Sequence, residues 1–137
     1  MKTKFSGILK LKNDILKKIE REILEVNSLI QAKEQEILAL KNSLSSLSPP
    51  SGRKYAEFLA FRENLSNIRI TIDNENNLLE MFKARKIDIL KQYKIAKIEY
   101  EKINYLHLEE VKNILKAAKA KEQLELDEFG GILHYIK

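Results

Sequence analysis

The apolar residues of the first third of the chain recur with a seven-residue period. One register holds only leucine or isoleucine, and a second register, four residues earlier, is largely apolar. Apolar residues spaced three and four apart form one stripe on an α-helix, and a strict seven-residue period bends that stripe into a left-handed supercoil. The pattern predicts a helix over about 4–47 that needs a partner helix. The two registers are Leu9, Leu16, Ile23, Ile30, Ile37 and Leu44, and Phe5, Lys12, Ile19, Val26, Lys33, Leu40 and Leu47.

Strong helix breakers follow this first helix. Residues 48–52 include both prolines of the chain and Gly52. A proline lacks the backbone N–H that a helix needs and restricts the residue before it. We therefore predict a turn over 48–52, and so short a connection favours an antiparallel return of the chain.

The seven-residue period resumes after the turn, with no proline or glycine before Gly130. It predicts a second helix over about 53–129, ended by Gly130 and Gly131 because glycine readily adopts the left-handed conformation of a helix C-terminus. A flexible tail would follow over 130–137. The registers are Phe58, Leu65, Ile72, Leu79, Lys86, Tyr93, Tyr100, His107 and Ile114, and Phe61, Ile68, Glu75, Phe82, Ile89, Ala96, Ile103, Glu110, Ala117 and Leu124.

The predicted fold is all-α, a single antiparallel two-helix coiled-coil hairpin over 1–137 with unequal long helices. Residues 73–77 are poor helix formers with Glu75 in the seam, so we expect a local kink, fraying or register shift there. The shorter helix would cover the longer one only to about residue 100. The apolar residues within 103–129 then need an outside partner, a shifted N-terminal segment or a second copy.

Composition argues against chemistry within the chain. It has no cysteine and two histidines, His107 and His134, and no phosphate-binding glycine loop. We therefore predict no catalytic residue, no metal, no cofactor and no enzymatic activity. No apolar run approaches the roughly 20 residues needed to cross a bilayer, and no secretory signal is visible, so we expect a cytoplasmic chain without membrane insertion.

Four segments of the chain carry a further signal. They are Phe5-x-x-Ile8-Leu9-x-Leu11-Lys12, Tyr55-x-x-Phe58-Leu59, Ala96-Lys97-x-Glu99-x-x-Lys102-x-x-x-Leu106 and Leu126-Asp127-Glu128-Phe129. The aromatic segment that follows the turn and the acidic last segment are the more specific of the four. Together the segments resemble one known family, FliJ, the small coiled-coil protein of the bacterial flagellar type III export apparatus, and the related stalk proteins of injectisomes.

The resemblance implies a non-enzymatic stalk similar to part of a rotary ATPase central stalk. Its expected partners are the hexameric export ATPase, the export gate membrane protein FlhA and export chaperones. The implied location is the cytoplasm, peripherally associated with the inner membrane at the export apparatus. In this account the single extended helix at the chain termini threads the ATPase ring, and the hairpin end projects toward the gate.

The family also implies a gate-binding strip early in the second helix. Its spacing, an aromatic followed at four, seven and eleven residues, falls on Phe58, Arg62, Leu65 and Arg69. The two arginines depart from the usual leucine and histidine, and the heptad pattern places Phe58 and Leu65 in the seam. A strip rotated toward Tyr55, Leu59 and Arg62 fits equally well.

Two other functions fit parts of the pattern. The uncovered part of the second helix also suits a generic coiled-coil scaffold or an export-chaperone-like interaction protein. The net charge of +5 suits a nucleic-acid-binding arm, but basic and acidic side chains are interspersed, as on a solvated, ion-paired helix face. We therefore expect no nucleic-acid partner.

Overall fold

Two helices make up almost all of the chain. The computed structural model describes residues 1–52 and 54–136, with only the backbone of Ile136. Helix α1 covers Ser6–Ser46 and α2 covers Tyr55–Ile136, 41 and 82 residues. No strand occurs among these residues, so the predicted all-α hairpin with unequal helices is confirmed. Arg53, the predicted start of the second helix, and Lys137, the end of the predicted tail, lie outside the described residues.

The helices contribute to two compact units. The terminal unit consists of Met1–Lys17 and Lys94–Lys137, and the hairpin unit consists of Lys18–Tyr93. Each unit contains a stretch of α1 and a stretch of α2, so each has its own helix–helix interface. The single coiled-coil domain over 1–137 stays a prediction.

The core of the hairpin unit is one apolar seam. Its buried side chains all belong to the registers that the sequence predicts, and each is at most 8% exposed; Val26 is the most deeply buried, at 1%. Burial of one such side chain contributes roughly 1.5–3 kcal/mol, which makes the seam the main source of stability. The set is Ile19, Val26 and Ile37 of α1 with Ile72, Leu79 and Ile89 of α2.

One ion pair interrupts this seam. Lys33 and Glu75 both occupy seam positions, and the Lys33 ammonium lies 2.6 Å from the Glu75 carboxylate, with the two side chains only 17% and 21% exposed. Lys33 also contacts Glu36 at 3.0 Å. We expected a local kink, fraying or a register shift at residues 73–77; helix α2 runs unbroken through them, so fraying does not occur. The contact with Lys33 explains why a charged residue is tolerated there.

The direction of pairing in the hairpin unit follows from a second contact. Tyr93 Oη lies 3.5 Å from the carboxylate of Glu20. Glu20 precedes Lys33 on α1, whereas Tyr93 follows Glu75 on α2. The two stretches are therefore antiparallel, as the short turn predicts.

Ionisation of Lys33 and of its neighbour Glu36 is linked to stability. The hydrogen bond to Glu75, followed by the one to Glu36, raises the pKa of Lys33. The hydrogen bond from Lys33 lowers the pKa of Glu36. The Lys33 contribution is thus present at neutral pH and lost as the pH rises through its raised folded-state pKa, whereas the Glu36 contribution is lost as the pH falls through its lowered one.

The terminal unit repeats the antiparallel arrangement. Its buried apolar residues are Leu16 and Ala96, both in predicted registers. Lys12 and Glu99 form an ion pair of 2.9 Å, and the hydrogen bond from Lys12 is the main reason that the pKa of Glu99 is lowered. Closer to the N-terminus of α1, the pairing reaches farther along α2, to His107. The covered stretch of α2 therefore extends beyond residue 100, the predicted limit.

The start of α1 is held by a local hydrogen-bond arrangement. The backbone N–H of Phe5 donates to the Thr3 hydroxyl at 3.1 Å, and the backbone N–H of Thr3 donates to the Ser6 hydroxyl at 2.8 Å. Such reciprocal bonds satisfy backbone donors that a helix N-terminus leaves free. The Thr3 hydroxyl also lies 2.8 Å from Nδ1 of His107, which ties the end of α1 to α2.

The predicted end of the second helix near Phe129 is wrong. Helix α2 continues through Gly130 and Gly131 to Ile136, and neither glycine has a positive φ. A glycine costs a helix about 1 kcal/mol relative to alanine but does not force a left-handed turn. Residues 129–136 contain no proline, and the helix geometry is kept on both sides of the pair, so the helix tolerates both glycines.

The seam predicts a large difference between two isoleucines only two residues apart. Ile89 is 4% exposed and Ile87 is 57% exposed. Ile89→Ala should lower the free energy of unfolding by about 2–4 kcal/mol, because it leaves a cavity in the seam. Ile87→Ala should change it by less than about 0.5 kcal/mol. Urea denaturation followed by circular dichroism measures both, and equal effects would contradict this seam.

The ion pair predicts a charge-swap rescue. Glu75→Lys should lower the melting temperature by several degrees, because it places two ammonium groups together in a half-buried seam. Adding Lys33→Glu should recover part of the loss, since the pair is restored while Glu36 now repels its new neighbour. Glu80→Lys is the control, as Glu80 is exposed on the same helix and lies 4.0 Å from Lys83. A double variant no more stable than E75K would show that the two residues do not interact.

Candidate functional site

The predicted gate-binding strip lies on one face of α2 in the hairpin unit. Phe58, Arg62, Leu65 and Arg69 follow one another at helical spacings of four, three and four residues, which places them in a row. Phe58 is 47% exposed, both arginines are exposed and Leu65 is half-buried. The seam position of Phe58 therefore does not bury it, and its ring is available for contact.

A shallow groove contains most of this strip. Arg62, Leu65 and Arg69 line it together with Ser66, Ile70 and Asp73. Its lining is mixed: two residues are apolar, two are arginines, one is a serine and one is an aspartate. It therefore suits a partner surface that combines apolar and charged side chains. Neither arginine takes part in an ion pair among the described residues.

The rotated strip is also accessible. Tyr55 is 75% exposed and Leu59 is 44% exposed, and both lie in the first turns of α2. A tyrosine ring provides much contact area with few rotatable bonds, which suits an anchor residue. Accessibility alone does not separate the two strips, but the groove contains three residues of the first strip and one of the second.

The largest uncovered surface is on α2 in the terminal unit. Beyond Val111 every side chain through Tyr135 is exposed, including many large apolar ones. We call residues 111–135 the distal segment. The sequence predicts uncovered apolar residues on the helix up to Phe129. Because residues 130–137 were predicted to be a flexible tail, the apolar residues of the last helical turns were not included in this surface. The residues missed in this way are Ile132, Leu133 and Tyr135, which are 57%, 48% and 93% exposed.

A second apolar surface of the terminal unit lies outside the seam. Ile98, Tyr105 and Leu106 of α2 line a shallow groove with Glu101 and Lys102. The heptad pattern does not reveal this surface, because the apolar seam dominates that pattern. The spacing of Ile98 and Tyr105, seven residues apart on one face, is the signal that would have found it.

The described residues contain little that resembles a chemical site. No group of three or more histidine, cysteine, aspartate or glutamate side chains is placed to hold a metal ion there. Within the same part of the chain, no helix combines the length and the apolar character needed to span a membrane. The polar contacts described above join side chains of the two helices within or beside the apolar seam, and the exposed apolar surfaces lie outside it.

Comparison with known proteins gives the chain its family. The family model described as "Flagellar FliJ protein" matches residues 1–137, the whole chain. Searches of curated proteins and of solved structures gave no significant match. The heptad registers, the aromatic start of α2 and the family match agree. The chain belongs to the FliJ family and is thus a component of the flagellar export apparatus.

Proposed function

We propose that this chain is the non-enzymatic coiled-coil stalk of its export apparatus. It binds the hexameric export ATPase, couples that ATPase to the export gate protein FlhA and escorts export chaperones. It works in the cytoplasm, peripherally associated with the inner membrane through these partners. The observation that carries the proposal is a family match over the whole chain, in a fold whose α2 continues as a single helix beyond its pairing with α1.

The single helix is suited to a ring. An α-helix with its side chains is about 10–12 Å across, whereas two packed helices add a second axis about 8–10 Å away. The distal segment is therefore the narrowest part of the terminal unit and exposes apolar side chains such as Leu115, Leu124 and Phe129. Inside a ring channel these side chains would be covered by the ATPase subunits.

The division of work follows from the chemistry of the two proteins. The ATPase binds and hydrolyses the nucleotide, and the stalk contributes contacts that differ between the conformational states of the ring. A ligand shifts an equilibrium only by its difference in affinity for the states. A helix with different side chains around its circumference provides such differences, because each ring subunit meets a different face.

Coupling to the gate uses the strip Phe58, Arg62, Leu65 and Arg69 in the hairpin unit. The exposure of Phe58 and the groove beside it support this strip. Phe58 supplies an apolar anchor and the arginines supply charge complementarity, which increases the rate and the specificity of association. The rotated strip, Tyr55, Leu59 and Arg62, shares only Arg62 with it, so substitutions can distinguish the two.

Binding to the ATPase is the main test. The purified chain should co-elute with the export ATPase of the same organism, promote its assembly into hexamers and raise its turnover. Leu124→Glu should weaken the complex by about tenfold or more, because it places a charge on the apolar surface that the ring covers. Leu24→Glu is the control, since Leu24 is a leucine of similar exposure on α1, at 69% against 61% for Leu124.

Two results would contradict the ATPase proposal. The first is no complex, with no change in ATPase assembly or turnover. The second is equal loss of binding in L124E and L24E, which would show that the distal segment has no special part. Circular dichroism of both variants should match that of the unchanged chain, so that unfolding does not explain a loss.

Binding to the gate tests the strip. F58A and R69E should each weaken binding to the cytoplasmic domain of FlhA by about tenfold, because they remove an anchor and reverse a charge. Arg85→Glu is the matched control for R69E, since Arg85 is also an exposed arginine on α2. Isothermal titration calorimetry measures the affinities. Loss in Y55A and L59A, with F58A and R69E unaffected, would favour the rotated strip.

A further inference from the structure

The first twelve residues of the chain form a weakly held cover on α2. We call residues 1–12 the N-terminal strap. Among the described residues of the terminal unit only Leu16 and Ala96 are buried, and neither belongs to the strap. The hairpin unit, by contrast, buries six seam side chains. Few buried apolar contacts mean a low free energy of local opening, so the strap opens more readily than the middle of α1.

The polar contacts of the strap fix its position but add little strength. Lys12 and Glu99 form an ion pair whose side chains are 31% and 50% exposed, and exposed ion pairs contribute little to stability. The hydrogen bond between Thr3 and His107 is only half-buried, so water can replace it when the strap leaves. The first turn of α1 also has no acidic residue and includes Gly7, so it has neither a favourable charge nor a strong helix former there.

The face of α2 under the strap continues into the distal segment. Its apolar positions follow one another at spacings of three and four residues, so they form one row along the helix. Tyr100 and His107 line a groove together with Leu9 of the strap. Thr3 contacts His107, four residues and about 6 Å before Val111, the first residue of the distal segment. The row is Tyr100, Ile103, His107, Val111, Ile114 and Ala118.

A partner that covers the distal segment therefore meets the strap at one end of its contact surface. It can continue along the same row only by taking the place of the strap. We propose that the N-terminal strap is a releasable cover, which occupies the row from Tyr100 to His107 in the free chain and yields it to the ATPase ring in the complex. This inference rests on the proposed function and extends the surface that the ring covers. The strap lowers the affinity of the chain for the ring, since only the open fraction makes the full contact.

Hydrogen exchange of the free chain tests the release without any partner. The backbone amides of residues 9–12 should be protected at least about tenfold less than those of residues 23–26, although both sets lie inside α1. A bismaleimide bridge between the two cysteines of T3C/H107C should remove most of this difference, and the chain has no cysteine of its own to interfere. Equal protection before bridging, or no gain after it, would overturn the proposal.

Binding to the export ATPase tests the competition. T3C/H107C should bind the ATPase at least about tenfold more weakly after bridging than before, because the strap can no longer leave. Bridged E20C/Y93C is the matched control. Glu20 and Tyr93 join the same two helices in the hairpin unit, with side-chain oxygens 3.5 Å apart. That bridge leaves the strap free, so it should not change the affinity, which isothermal titration calorimetry measures.

Leu9→Glu tests the opposite direction. Leu9 is a half-buried seam residue of the strap, so a charge there should release the strap and raise the affinity for the ATPase several-fold. Leu11→Glu is the control, because Leu11 is 63% exposed in the same strap. Equal affinities for all chains, or weaker binding by L9E, would overturn the strap proposal alone. Absence of binding by every chain would contradict the proposed function itself, and this inference with it.

Discussion

The docking of one apolar seam on another holds the helices of this protein together. Two helices have no second layer of structure to cover them, so each can bury only a narrow stripe. Every buried side chain among the described residues lies in that stripe, and no polar side chain is buried there. Because the hydrophobic contribution scales with the area removed from water, the stripe is the main source of stability. The rest of each helix surface stays available for partners.

Polar residues within the seam determine the register in which the two helices pair. An apolar stripe alone permits helices to slide by one heptad with little loss, since leucine can replace isoleucine as a neighbour. Lys33 and Glu75 permit only the register that brings them together, because any other register leaves a charge half-buried without its partner. Lys12 with Glu99, and Thr3 with His107, act in the same way in the terminal unit. Register and direction thus depend on a few polar contacts.

Unequal helix lengths leave part of α2 without a partner helix. Helix α1 ends its contacts with α2 near His107, and the apolar positions of α2 beyond Val111 are exposed. Such an uncovered helix is accessible to a partner. The strip from Phe58 to Arg69 exposes apolar and charged side chains together in the hairpin unit.

Periodicity was sufficient to predict the fold class, the turn and the seam registers, because burial of one helix face leaves a seven-residue pattern that needs no knowledge of the partner. The spacing of Phe58, Arg62, Leu65 and Arg69 likewise places them on one face. Their exposure could not be predicted, since a seam position near the turn is covered only if the opposite helix reaches it.

The tertiary structure decided what depends on both helices at once. The sequence shows Lys33 and Glu75 as polar residues within two separate apolar stripes. Whether they contact each other depends on how far one helix is shifted along the other. In the terminal unit, the pairing of Thr3 with His107 extends the covered part of α2 beyond the predicted limit at residue 100. The end of α2 at Ile136, beyond two glycines, shows that a rule based on residue type alone does not fix where a helix ends. A glycine permits a left-handed turn, and whether the turn forms depends on the free energy of the whole helix rather than on the residue itself.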